Sequence, residues 1–206
     1  MVFLITITIG TVIVAYLLGS VNSSILISKA VSGKDIRESG SGNAGATNML
    51  RTMGKKYAVL TLIIDIFKGI LAVLFAMLSV KSGGFEWCIY PAGLAVCLGH
   101  CYPVFFGFKG GKGVATGLGV LLMWDWQTAL IVLAAALVIM ALTRYVSLGS
   151  VTAAVLFAVI ETVKLRGNIP AMICVIAVAA LLVWKHRGNI VRLAKGEENK
   201  LGAKKK

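Results

Sequence analysis

The chain is laid out as long apolar runs separated by short polar clusters, and the first run reaches Lys29 before it meets a charged side chain. About 20 apolar residues carry a helix across a bilayer core, where only helices and closed barrels satisfy every backbone polar group. With 58% hydrophobic residues and a mean hydropathy of +0.90, the composition exceeds what a soluble domain needs. The pattern predicts an all-α, polytopic membrane protein. Seven spans are expected, roughly Val2 to Ile27, Tyr57 to Val80, Trp87 to Phe106, Val114 to Met123, Gln127 to Thr143, Val146 to Val163 and Ile169 to Trp184. The fourth is about half the usual length, so it is expected to be tilted or re-entrant and buried among other helices. The first run lacks a basic leader and a small-residue cleavage site, and reads as a retained helix rather than a signal peptide.

Charge orients the spans. The net charge is +13, and the basic residues fall in alternate loops. Lys29, Lys34, Arg37, Arg51, Lys55 and Lys56 share one loop, Lys109 and Lys112 another and Arg144 a third, and the tail from Lys185 holds eight more. The opposite loops hold Lys81, Lys164 and Arg166 beside Glu86, Asp125 and Glu161. Basic loops face the cytoplasm, which places the N-terminus outside and the C-terminus inside. Lys204, Lys205 and Lys206 read as topology signals that also attract anionic headgroups. No aromatic interleaving or recognition module points to nucleic acid. Cys88, Cys97, Cys101 and Cys174 form no metal-like or CxxC spacing and read as packing residues. No linker or repeat divides the chain, so residues 1–206 read as one domain.

Four polar clusters fall on the predicted cytoplasmic side. Gly40-Ser41-Gly42-Asn43-Ala44-Gly45 fits GxGxxG, yet no strand precedes it, so a dinucleotide fold is excluded. The underlying physics still applies, because glycine lets backbone N–H groups close on an anion. Ser41, Asn43, Thr47 and Asn48 add short donors, Arg51 adds a two-pronged phosphate contact, and a helix start after Gly45 would face the phosphate. A plain connector would need far fewer donors. The second cluster, Lys109-Gly110-Gly111-Lys112-Gly113, is not a P-loop, but it presents two lysines on a glycine backbone. The third holds Ser147, whose simplest role is helix packing. In the fourth, His186 has basic neighbours that favour the neutral imidazole a general base requires, with Asn189 one helical turn on. His100 reads as a packing residue. Asp65 and Lys68, three apart in a span, read as partners.

Together these clusters resemble a known family. GKDIRESGSGNAGATNMLRTMGKK, GHCYPVFFGFKGGKGVATGLG, RYVSLGS and KHRGNIVRLAKGEE are similar, in the same order, to the acyl-phosphate:glycerol-3-phosphate acyltransferases of bacterial inner membranes. The resemblance implies a seven-helix fold with a cytoplasm-facing site. It also implies acyl transfer from a fatty acyl phosphate to the 1-hydroxyl of glycerol 3-phosphate; no paired-carboxylate site is legible in the sequence, so no metal or cofactor is expected. The glycerol-3-phosphate loop maps to Ser41, Gly42, Asn43, Gly45, Thr47, Asn48 and Arg51. The lysine of the GGKG turn maps to Lys112, with Lys109, Gly110 and Gly111 beside it expected on their chemistry to bind a second phosphate, and the remaining site residues map to Ser147, His186 and Asn189. A tail glutamate regarded as structural maps to Glu197. The family commonly carries Ile-Pro after Gly19-Ser20, where this chain has Val21-Asn22, so a softer kink is expected there.

Arg51, Lys112 and the glycine-loop amides are then expected to hold phosphate, and His186 to take the hydroxyl proton with Ser41 orienting the hydroxyl. A substrate phosphate oxygen is the other candidate base. An acyl phosphate is already activated, so holding the reactants together supplies much of the rate, and cations stabilise the developing charge. No Ser-His-Asp set is legible, so no acyl-enzyme is expected. The other readings are an organic-phosphate transporter and an anionic-lipid scaffold. Membrane lipids are the surrounding partners in every case.

Overall fold

The structure, a computed structural model, describes residues 1–202; Lys204, Lys205 and Lys206 lie outside the described residues. Regular structure among the described residues is entirely helical, and the chain forms two compact units, Met1–Trp124 and Asp125–Lys206.

The first unit contains α1 (Val2–Ser20), α2 (Ser23–Ser32), α3 (Ala46–Thr52), α4 (Lys55–Lys81), α5 (Ile89–Cys101) and α6 (Val114–Trp124). α1 packs on α5 and α4, and α4 packs on α6. These contacts run backbone to backbone. A Cβ at Gly19 would strike the Val96 carbonyl on α5, and one at Gly69 would strike the Thr116 carbonyl on α6. The clash is reciprocal, since a Cβ at Gly119 would strike the Ile66 carbonyl on α4. Lipid offers no hydrophobic gain for pairing helices, so close approach of small residues supplies the association instead.

The first span is broken despite the missing proline. α1 ends at Ser20 and α2 begins at Ser23, with the Asn22 Oδ1 accepting from the Ile25 N–H at 3.1 Å. The Lys68 ammonium donates to the Gly19 and Val21 carbonyls at 3.1 and 2.9 Å. A side-chain cap and a buried cation satisfy the broken ladder from either side.

The second unit contains α7 (Trp126–Thr143), α8 (Val146–Lys164), α9 (Ile169–Lys185) and α10 (Arg187–Ala194). Asp125 caps α7, accepting from the Gln127 and Thr128 N–H groups at 3.0 and 3.1 Å. α8 packs between α7 and α9, and α10 rests on α8 and α9. Arg144 takes a left-handed turn between α7 and α8, and its guanidinium and carbonyl both engage the Leu201 backbone, at 2.8 and 2.7 Å. That pairing returns the tail to the α7–α8 turn.

Five stretches are long and apolar enough to cross a membrane, Val2–Ser32, Lys55–Lys81, Glu86–Phe106, Trp126–Thr143 and Val146–Lys164. A sixth is gained if α9 and α10, bent by 55°, count as one span. The remaining segment of the expected seven is α6, whose 11 residues extend only about 17 Å. Its Thr116, Gly119, Val120 and Leu121 are buried, so α6 is held among helices rather than facing lipid along its length. Ile63 and Phe67 on α4, Ile131 on α7 and Ile173 on α9 point outward, as lipid-facing positions require.

Candidate functional site

In the first unit, the polar loop after α2 is shaped by its own side chains. The Asp35 carboxylate caps the short turn Ile36–Glu38 through the Arg37 N–H at 3.0 Å and receives the Arg37 guanidinium in two prongs, at 2.9 and 2.8 Å. The bond from Arg37 holds the Asp35 carboxyl at about 2, against the opposing effect of burial. Arg37 also donates through Nη1 to the Phe106 and Lys109 carbonyls, at 2.8 and 2.9 Å. The first glycine loop and the Lys109–Gly113 turn are therefore strapped together by one guanidinium.

Asn48, on α3 and only 1% exposed, fixes the loop backbone. Its Oδ1 accepts from the Ser41 N–H at 2.8 Å, and its Nδ2 donates to the Ile36 and Ser39 carbonyls at 3.1 and 3.0 Å. The glycine at 40 follows from this, since it lies in the left-handed region and a Cβ there would strike the Asn48 Oδ1. Ser41 and Gly42 remain exposed, Asn43 and Thr47 are half-buried, and Gly45 is buried in extended geometry where α3 starts. Arg51 is exposed and makes no hydrogen bond or ion pair among the described residues.

The lysine turn folds back on the end of α5. The Gly110 and Gly111 N–H groups donate to the Cys101 and His100 carbonyls at 3.2 and 3.1 Å. A Cβ at Gly111 would strike both the His100 Nε2 and the Ala44 carbonyl, so this is where the two glycine loops meet. Lys109 is exposed and Lys112 half-buried. Phe108 takes a φ of 59°, unusual for a side chain of this size, directly after left-handed Gly107.

Beneath the turn lies a group of ionisable side chains. The Asp65 Oδ1 is 3.1 Å from the Lys68 Nζ, 2.9 Å from the Ser23 Oγ and 3.7 Å from the His100 Nδ1. Asp65, Lys68, Ser23 and His100 are all buried. The Asp65–Lys68 partnership is as the sequence implies, and the buried His100 Nδ1 faces the same carboxylate. An aspartate and a lysine inside an apolar span were the available signal; nothing local tied them to a histidine on another helix.

In the second unit, His186 sits at the junction of α9 and α10, 3% exposed. Its Nδ1 lies 2.7 Å from the Leu182 carbonyl. A carbonyl only accepts, so Nδ1 carries the hydrogen, and in the neutral ring Nε2 presents its lone pair. Ser147 and Asn189 meet at one carboxylate: the Ser147 Oγ and Asn189 Nδ2 donate to the Glu198 Oε1 at 3.0 and 2.6 Å, and the Arg192 Nε donates to Oε2 at 2.8 Å. Burial works against ionisation of Glu198, but the bonds from Asn189, Arg192 and Ser147 outweigh it and hold the carboxyl below its ordinary range. This corrects the assignment of the tail glutamate. Glu197 is exposed, and its neighbour Glu198 is buried and bonded. The four cysteines are buried and form no disulfide among the described residues.

Comparison with known proteins bears on these clusters. The family model for glycerol-3-phosphate acyltransferase matches residues 9–196. Glycerol-3-phosphate acyltransferase of Paraburkholderia phytofirmans is 47% identical over 195 residues, covering 94% of this chain and 91% of its own. The protein of the same name from Methylococcus capsulatus is 46% identical over 192 residues, covering 93% and 94%. Among solved structures, PlsY (YgiH), an integral membrane glycerol 3-phosphate acyltransferase in its glycerol 3-phosphate form, superposes with a TM-score of 0.86 at 45% identity, covering 95% of this chain and 96% of that one. Its lysophosphatidic acid form gives a TM-score of 0.81 at 43% identity, with 95% of each chain covered.

Proposed function

The chain belongs to the glycerol-3-phosphate acyltransferase family, and we propose that it moves a fatty acyl group from an acyl phosphate to the 1-hydroxyl of sn-glycerol 3-phosphate. The products are 1-acyl-glycerol 3-phosphate (lysophosphatidic acid) and inorganic phosphate, which puts the reaction at the start of phospholipid synthesis. We read residues 1–206 as one acyltransferase domain, because the family model runs across both units. We place it in a bacterial inner membrane as a multi-pass protein, with the N-terminus outside and the glycine loops facing the cytoplasm, on the distribution of Lys and Arg.

The observation that carries the reading is the preformed glycine loop. Asn48 holds its backbone in shape while Ser41, Gly42 and the unpartnered Arg51 stay exposed. A loop backbone fixed before the ligand arrives, with an unengaged guanidinium beside it, suits a phosphate monoester. Arg51 and Lys112 hold the glycerol phosphate with Gly42, Asn43, Gly45 and Thr47, and Asn48 contributes by shaping the loop. Lys109, Gly110 and Gly111 receive the second phosphate, while Ser147 and Asn189 are committed to Glu198.

The hydroxyl oxygen attacks the acyl carbonyl, and the bond from that carbon to the phosphate oxygen breaks. The hydroxyl proton passes to the His186 Nε2 and from there to the departing phosphate, so no net proton is released. Ser41 orients the hydroxyl. Lysine and arginine charges near the carbonyl stabilise its developing negative charge.

Purified protein in liposomes, given radiolabelled glycerol 3-phosphate and palmitoyl phosphate, is expected to yield organic-extractable label. Palmitoyl-CoA is expected not to substitute. His186→Ala should lower kcat, and Arg51→Ala should chiefly raise the KM for glycerol 3-phosphate. Label transfer from palmitoyl-CoA alone would sink the donor assignment, and equal, small effects of both substitutions would sink the roles.

A further inference from the structure

We propose that His100 is a positioning residue for acyl transfer: with one ring nitrogen turned toward Asp65, it packs its other edge against the Gly110–Gly111 turn and so sets the place of Lys112. The inference rests on the assignment of Lys112 to phosphate binding. It adds the residues that hold that lysine in position.

Three observations combine. The His100 Nδ1 faces the Asp65 Oδ1 at 3.7 Å, a carboxylate already fixed by Lys68 at 3.1 Å and Ser23 at 2.9 Å. The opposite edge of the same ring lies against Gly111, where a Cβ would strike Nε2. The His100 carbonyl accepts the Gly111 N–H at 3.1 Å, so backbone and ring grip the same residue. The glycine at 111 is thus explained by the ring on one side and the Ala44 carbonyl of the first loop on the other.

The anchor is itself rigid. The three Lys68 ammonium protons match Asp65 and the Gly19 and Val21 carbonyls, at 3.1, 3.1 and 2.9 Å. The break in the first span, α4, α5 and the lysine turn therefore share one buried polar group. Charges inside an apolar span are retained where they serve a site. Simple packing would be met by any ring of similar volume and would not require Asp65 to face it.

The experiment uses the full chain with His100→Phe, which keeps ring volume and removes both nitrogens. Asp65→Asn leaves the ring in place and removes the charge that holds it. Amide hydrogen exchange is followed by mass spectrometry, and acyl transfer is measured with and without Lys112→Ala. The Gly110 and Gly111 amides are expected to exchange about tenfold faster in either variant, with peptides of α7–α9 unchanged. kcat/KM is expected to fall about tenfold or more in the otherwise unaltered protein, and no more than about twofold once Lys112 is already alanine.

Unchanged exchange at the turn overturns the proposal, as does an equal fall in kcat/KM in both backgrounds. Equally faster exchange throughout the first unit also overturns it, because that is the signature of general loosening. The exchange reading needs no turnover. A failure of the acyl-phosphate reaction itself would show as absent product from the unaltered protein, and is separate from either result.

Discussion

Replacing Glu198 by Gln tests whether one carboxylate organises the second unit. The carboxylate accepts from Ser147, Asn189 and Arg192 at 3.0, 2.6 and 2.8 Å. Ser147 and Asn189 are buried, while the Arg192 side chain is 42% exposed, so water replaces much of the Arg192 contact and its loss counts for little. A hydrogen bond to a charged acceptor contributes about 1.5–3 kcal/mol, and a buried donor left without one adds its own desolvation penalty. Glutamine keeps one accepting oxygen and turns an amide NH₂ toward donors. The net loss is then about 3 kcal/mol, which for a protein of this size lowers Tm by about 6–12 °C. The pH dependence has a definite sign. The folded carboxyl lies below its ordinary range, so its contribution is complete above the unfolded value of about 4.3 and is lost as pH falls through the folded value. Melting of purified protein in detergent, followed at pH 7 and again near pH 3, should therefore show a wide gap between parent and variant that closes in acid. Equal melting at pH 7, or a gap undiminished near pH 3, would refute the reasoning.

Two further outcomes are expected. Arg37→Met removes the strap to the Phe106 and Lys109 carbonyls and the two-pronged contact with Asp35; steady-state kinetics should show a KM for glycerol 3-phosphate raised by about tenfold, corresponding to about 1.4 kcal/mol, with a smaller change in kcat. Gly69→Ala drives a Cβ into the Thr116 carbonyl of α6, and should destabilise the detergent-solubilised protein by about 1–3 kcal/mol. Gly119→Ala opens the same crossing from the other side, so the pair should be less than additive in melting experiments.

Element type was legible in this chain because apolar runs of membrane length leave the backbone no alternative to helix. The glycine loops were legible because glycine and short donors are a poor choice for a plain connector. What the sequence did not disclose were partners far apart along it. The break after Ser20 is made by Asn22, which is local, and by Lys68, which reaches the Val21 carbonyl across 47 positions. Without that cation the missing proline argues for a softer kink. His100 looked like a packing residue because Asp65, which faces it, lies on another helix. Glu197 and Glu198 are chemically identical neighbours, and only the return of the tail, fixed where Leu201 pairs with Arg144, decides which one is buried.

These long-range partners divide the polar clusters by what their groups have left to offer. Asn48 and Arg37 have their donors committed to loop backbone and to Asp35, and the Lys68 ammonium is committed to two carbonyls and a carboxylate. A group so engaged gains little from a phosphate, because each new bond replaces an existing one. Arg51 stands exposed beside this scaffold with no partner among the described residues, and Lys109 is exposed at the strapped turn. Residue type alone makes Arg37, Arg51 and Lys68 equivalent cations. Their bonding separates the ones that build the cradle from the one that remains available to an anion, and on this difference we propose Arg51, rather than Arg37, for the contact with substrate phosphate.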